Sequence, residues 1–173
     1  MPQLISAAES TRPALVLDVD GVFIINRDLE GMPDGYIEHP RFHWSAYNPS
    51  HGPWLNNIHQ NSADIYYISD NQDASHWVIG QHLGLPEFDW IDSYAFMARS
   101  YRVRRSLAIT ALFGNRPLVW VDDCIGSTQL AWAKQRTKQN APTLAVRVNE
   151  HKGLQTHHMK RIDKWLQQLT TES

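Results

Sequence analysis

Two aspartates, Asp18 and Asp20, stand two residues apart at the end of a short apolar run, Ala14-Leu15-Val16-Leu17, and Gly21 follows directly. Carboxylates this close repel one another unless a proton or a cation separates their roles. Magnesium suits such a pair, because it prefers oxygen ligands in octahedral geometry and binds one or two carboxylates together with waters and a substrate phosphate. With its charge shielded in that way, Asp18 can attack phosphorus. Two further apolar runs end in polar tips: Asp64 to Ile68 stops at Ser69-Asp70-Asn71, and Leu118 to Val121 stops at Asp122-Asp123.

Runs of this length suit strands buried on both faces and predict strands over 14–18, 64–68, 118–121 and 143–148. Helical patterns cover 53–61, 74–83 before Gly84, and 102–113 before Gly114, where glycine supplies the stop. A closing helix over 156–169 follows from Met159, Ile162, Trp165, Leu166 and Leu169 at helical spacing. This alternation predicts an α/β, Rossmann-like three-layer sandwich with a central parallel sheet, in which ligands bind at the carboxyl ends of the strands. All the acidic tips would then converge on one edge. Residues 22–52 are rich in Gly, Pro, Asn, His and aromatics without a sustained period, which predicts a flap or minimal cap inside a single domain spanning 1–173.

The segment Leu15-Val16-Leu17-Asp18-Val19-Asp20-Gly21-Val22 resembles the first motif of the haloacid dehalogenase superfamily of phosphatases. The resemblance implies that Asp18 forms an aspartyl-phosphate and that the backbone carbonyl of Asp20 binds magnesium. It also implies that the Asp20 carboxyl protonates the leaving oxygen and then activates water. Ser69 is similar to the second motif, a hydroxyl that holds a phosphate oxygen, and Asn71 beside it joins the expected substrate-binding set. Asp122-Asp123 resembles the fourth motif, which completes the metal site with Asp18 and Asp20; Asp123 is the expected nearer ligand and Asp122 its support. The third motif of the family is a lysine, yet no lysine occurs between Met1 and Arg116. Arg105 is its expected replacement, with Arg102 and Arg104 as competitors, because a guanidinium offers a permanent charge and a fork for oxygens. Within the superfamily, Leu83-Gly84-Leu85-Pro86 and Arg116-Pro117-Leu118-Val119-Trp120-Val121-Asp122-Asp123 are most similar to phosphatase-like domains of RNA repair proteins.

The formal charge of −2 gives no global attraction to polyanions, so a nucleic-acid partner would need a local basic patch, for which Arg99 to Arg105 is the candidate. Cys124 is the single cysteine, which excludes an internal disulfide and a multi-thiolate zinc site and favours a cytoplasmic setting. The stretch before Pro13 lacks a basic start with a long apolar run, and no apolar segment reaches the ~18 residues that span a bilayer. His39, His43, His51 and His157-His158 have no zinc-enzyme spacing and are expected on the surface or flap. Trp44, Trp54, Trp77, Trp90 and Trp132 are expected in the core or a groove, Trp44 and Trp54 also at the site mouth. About 43 residues separate Asp20 from Asp64, too few for a large cap beside a crossover helix.

The expected activity is therefore hydrolysis of a phosphomonoester, on a nucleic-acid end or another bulky phosphate. The alternative is a phosphate-binding or protein-interaction module that keeps the fold and turns over poorly. The oligomeric state is not legible.

Overall fold

The computed structural model describes residues 10–26, 31–96, 98 and 100–171; Arg99 of the expected basic patch lies outside them. Four parallel strands occupy the anticipated runs to within a residue or two: β1 (Ala14–Leu17), β5 (Asp64–Tyr67), β7 (Leu118–Asp122) and β8 (Thr143–Arg147). A fifth, β6 (Asp89–Trp90), pairs with Tyr66 and Tyr67 at the edge, giving the order β6-β5-β1-β7-β8. Four helices connect or close these strands: α1 (His51–Asn61), α2 (Tyr101–Phe113), α3 (Ser127–Lys138) and α4 (Thr156–Thr171).

The strands are apolar throughout because both faces are covered. Leu15, Leu17, Val119, Val121 and Val146 face α1 and α4, meeting Leu55, Ile58, Ile162 and Leu166. Ala14, Val16, Leu118, Trp120 and Ala145 face the opposite way, against Ala108, Ile109 and Phe113 of α2 and Ala133 of α3. The result is a Rossmann-like three-layer α/β sandwich with a parallel central sheet. Among the described residues no helix is long and apolar enough to cross a membrane.

Several expectations are corrected. The helix anticipated over 74–83 is broken into a 3₁₀ turn, Gln72–Ala74, and a wide turn of π type, His76–Gly80. Gln72 has φ +54°, and a Cβ on Gly80 would fall 2.5 Å from His76 Nδ1, so this segment curls around its own side chains instead of running straight. Helix α3 was not anticipated between Asp122 and Thr143, since its buried positions include Gln129 and Arg136. Residues 22–52 contain a small antiparallel sheet of β2 (Ile24–Asn26), β3 (Ile37–Glu38) and β4 (Ser45–Tyr47), in the order β2-β4-β3. His39 and His51, expected on the surface or flap, lie within the 22–52 segment but are fully buried there, because each ring satisfies a distant backbone carbonyl. His39 Nδ1 accepts from the amides of Arg41 and Phe42, so its Nε2 carries the proton and donates to Val78 O at 2.9 Å. His51 Nε2 donates to Leu154 O at 3.0 Å. Trp44 and Trp77 are exposed rather than packed in a core, and Trp54, partly buried in α1, donates to Asp163 of α4 at 2.8 Å.

Burial pushes the pKa of His51 down to about 4, against the slight pull of its bond to Leu154. The unfolded chain takes up this proton near pH 6.5 and the folded chain does not, so the stability contribution is full above that pH and is lost as pH falls toward 4. The expected loss is on the order of 3 kcal/mol. Urea denaturation at pH 7 and pH 4.5 should show a smaller decline for His51→Gln than for the unaltered chain, and equal declines would contradict the assignment.

Candidate functional site

Parallel pairing places Leu17 opposite both Tyr67 and Val121, so the residues that follow these strands emerge side by side. Asp18 is 3% exposed. Its Oδ1 accepts from the amide of Val19 at 2.8 Å and from Arg105 Nη2 at 3.4 Å, and its Oδ2 accepts from Arg105 Nη1 at 2.5 Å. The same Nη1 donates to Asp122 Oδ2 at 2.6 Å. Asp122, fully buried, also accepts from Trp120 Nε1 at 3.2 Å and from the amide of Cys124 at 2.8 Å. Arg105 stands one turn into α2, whose start is fixed by the Ser100 hydroxyl accepting from the Val103 amide.

Two buried carboxylates thus share one guanidinium, leaving a negative charge in excess. Burial, and then the charge of Asp122, hold the Asp18 carboxyl well above its ordinary pKa despite Arg105. Burial also raises Asp122, against the pull of Arg105 and the Cys124 amide. For Arg105 burial opposes the charge, but Asp18 and Asp122 outweigh it and raise its pKa.

Asp20 sits at the rim. Its Oδ2 accepts from Asn71 Nδ2 at 2.7 Å and from the Ser69 hydroxyl at 3.4 Å, so both residues expected to bind substrate here hold Asp20. Burial raises its carboxyl pKa, offset in part by the bonds from Asn71 and Ser69. The chain then turns at Gly21, with φ +70° and its amide donating to Ile24 O at 2.7 Å. A Cβ on Gly21 would fall 2.8 Å from Asp123 Oδ2; only glycine lets the Asp123 carboxylate close over this loop.

All seven sequence-derived positions, Asp18, Asp20, Ser69, Asn71, Arg105, Asp122 and Asp123, therefore meet at one edge. Among the three candidate arginines only Arg105 reaches the acids. Arg104 lies over the Tyr94 ring at 4.3 Å and Arg102 is exposed, so the expected basic rim loses Arg105 to the interior and keeps Arg102. The sequence reading missed Asp70, 3.6 Å from Arg105 Nη2, and Trp120, whose place two residues before Asp122 on one strand face was the available signal. It also missed Tyr101, whose hydroxyl donates to Cys124 Sγ at 2.6 Å.

The donor set fits a hard cation. Asp122, Asp123 and Cys124 bring potential ligand atoms within 4.8 Å of one another, and a hard cation prefers the carboxylate oxygens of this group to the sulfur. Both oxygens of Asp122 and both of Asp18 already accept from N–H groups, so an ion beside Asp123 would share or displace those partners.

Fold and site define an α/β sandwich with an acidic centre at the carboxyl edge of its parallel sheet. Compared with known proteins, the chain matches no family model, no curated protein and no solved structure.

Proposed function

We propose that the chain is a magnesium-dependent phosphomonoester hydrolase of the haloacid-dehalogenase type. The observation that carries this reading is the Arg105 fork joining Asp18 to Asp122, with Asp20 held at the rim by Ser69 and Asn71. It separates a buried, cation-held nucleophile from a second carboxyl that can reach a leaving group. An Asp18 oxygen displaces the leaving oxygen from phosphorus, and Asp20 gives that oxygen its proton. Asp20, now ionised, takes a proton from the water that cleaves the aspartyl-phosphate, which releases phosphate and restores both side chains. The Asp18 and Asp123 carboxylates and the Asp20 backbone carbonyl would hold magnesium, with Asp122 in support, and its charge would let an anionic carboxylate approach an anionic phosphate. Arg105 keeps Asp18 oriented, and the Ser69 hydroxyl, loosely placed at 3.4 Å from Asp20, is within reach of turning to a phosphate oxygen. The described residues between β1 and β5 form only the small sheet and α1, which suits a bulky phosphate such as a nucleic-acid end.

One observation favours a second reading, a phosphate-binding or protein-interaction module with poor turnover: Arg105 engages both oxygens of Asp18. Hydrolysis of 4-nitrophenyl phosphate separates the two. The hydrolase reading expects activity that is lost on chelation and restored by magnesium; restoration by zinc alone would overturn the oxygen-ligand site. Asp20→Asn is expected to lower kcat by roughly 10²–10⁴-fold on an alkyl phosphate and by much less on the activated aryl ester, which needs little protonation. Equal losses on both would remove Asp20 from its role as the acid.

A further inference from the structure

Beside the acidic centre, past the end of β7, lies a cleft of about 690 Å³, a volume typical of small-ligand sites. One wall is Tyr101 and Arg102 at the start of α2 with Asp123 after β7; the other runs from Arg147 through the turn at 149–153 into α4. Three cations line it, Arg102, Arg147 and Lys152, and among the described residues none has a carboxylate within ion-pair distance. Of the two acids in the lining, Asp123 belongs to the acidic centre and Glu150 lies 3.8 Å from the His151 ring. Arg147 is in register with Asp122, so its side chain leaves the sheet on the same face as the Asp122 carboxylate.

The backbone of the far wall is held by its own hydrogen bonds. Asn149 Oδ1 accepts from the amide of His151 at 2.9 Å, and Asn149 O accepts from the amides of Lys152 and Gly153 at 2.9 and 2.8 Å. The next amide, Leu154, donates to Val22 O at 2.8 Å, tying this turn to the loop after β1. Gly153 has φ +64°, and a Cβ there would fall 2.0 Å from Tyr36 Oη, so the turn is locked against the small sheet. Cations carried on a hydrogen-bonded turn bind an anion without the further cost of ordering the backbone. The acidic centre repels any substrate whose leaving group is itself anionic, and these cations offset that repulsion.

We infer that the cleft receives a second phosphate carried by the leaving group, so that the preferred substrate is a phosphomonoester whose alcohol portion bears another phosphate. This rests on the hydrolase reading given above. The test compares adenosine 3′,5′-bisphosphate and a 5′-phosphorylated dinucleotide with adenosine 5′-monophosphate, and fructose 1,6-bisphosphate with fructose 6-phosphate, all with magnesium. At least one doubly phosphorylated compound is expected to show kcat/KM about tenfold or more above its counterpart, and the winning arm distinguishes nucleotide, phosphodiester and sugar sources. Arg147→Ala and Arg147→Ala/Lys152→Ala are expected to reduce that preference by roughly tenfold per cation, mainly through KM, and added salt to shrink it. Both side chains are exposed, so the variants keep the fold, as circular dichroism would verify. No preference in any arm, or a preference intact in the double variant, overturns the inference. If nothing is hydrolysed, the hydrolase reading fails by itself, and calorimetric titration with the same compounds decides the cleft. Tighter binding of a doubly phosphorylated compound, lost in the double variant, sustains it; equal binding of the paired compounds sinks it.

Discussion

Asp18→Asn is expected to lower kcat by at least about 10⁴-fold while raising, not lowering, the thermal midpoint measured in the presence of a chelator. The activity loss follows from chemistry: an amide of equal size packs alike but is a poor nucleophile. The gain in stability follows from charge. Asp18 and Asp122 are both buried and share Arg105, and burial with mutual repulsion makes the ionised Asp18 costly to the fold. Removing that carboxylate leaves a single balanced pair, Asp122 with Arg105. Natural sites commonly trade stability for reactivity in this way. A variant that is inactive and also less stable would mean that Asp18 is held mainly as a structural partner of Arg105, which would favour the binding-module reading.

Arg105→Ala carries the largest expected effect on folding. It strands two buried carboxylates without their shared cation, and breaking a buried pair in this manner costs about 3–5 kcal/mol. Denaturant unfolding should show that loss. Adding Asp122→Asn to the same chain should recover a substantial part of it, since the orphaned charge is then gone; the coupling between the two positions is what the double-mutant cycle reads. Arg105→Lys keeps a charge but loses the fork that spans both acids, so its stability should lie between the unaltered chain and the alanine variant. Additive effects at positions 105 and 122 would contradict the bridge.

The strand tips were legible because a parallel strand buried on both faces must be apolar throughout, so its end is marked by the first polar residue that follows. That rule located Asp18, Ser69 and Asp122 directly, while Arg105 came from the resemblance to the lysine motif, with Arg102 and Arg104 left as competitors. Other elements carried no such mark. Helix α3 buries Arg136, which donates to the carbonyls of Gly114 at 2.6 Å and Arg116 at 3.2 Å, a role that no local pattern reveals. Strand β6, with only two residues, is too short for periodicity. His39 and His51 are inside because of carbonyls contributed by Val78 and Leu154, far along the chain. Lys152 and Arg147 likewise belong to the cleft through tertiary placement, since Val22 anchors the turn that presents Lys152 and pairing with β7 places Arg147.

The carbonyl of Leu154 accepts from both Tyr36 and His51, contacts that span 118 and 103 residues of chain, while its amide reaches back to Val22. Contacts this distant in sequence require a long loop to close before they return any free energy, so they form late in folding. During synthesis the strand that carries Asp18 is made early, yet the loop beyond it gains its last anchor only after Leu154 has emerged. In kinetic terms, this junction is expected to act on the unfolding barrier rather than the folding one. Strengthening it would lengthen the lifetime of the assembled site without hastening its formation.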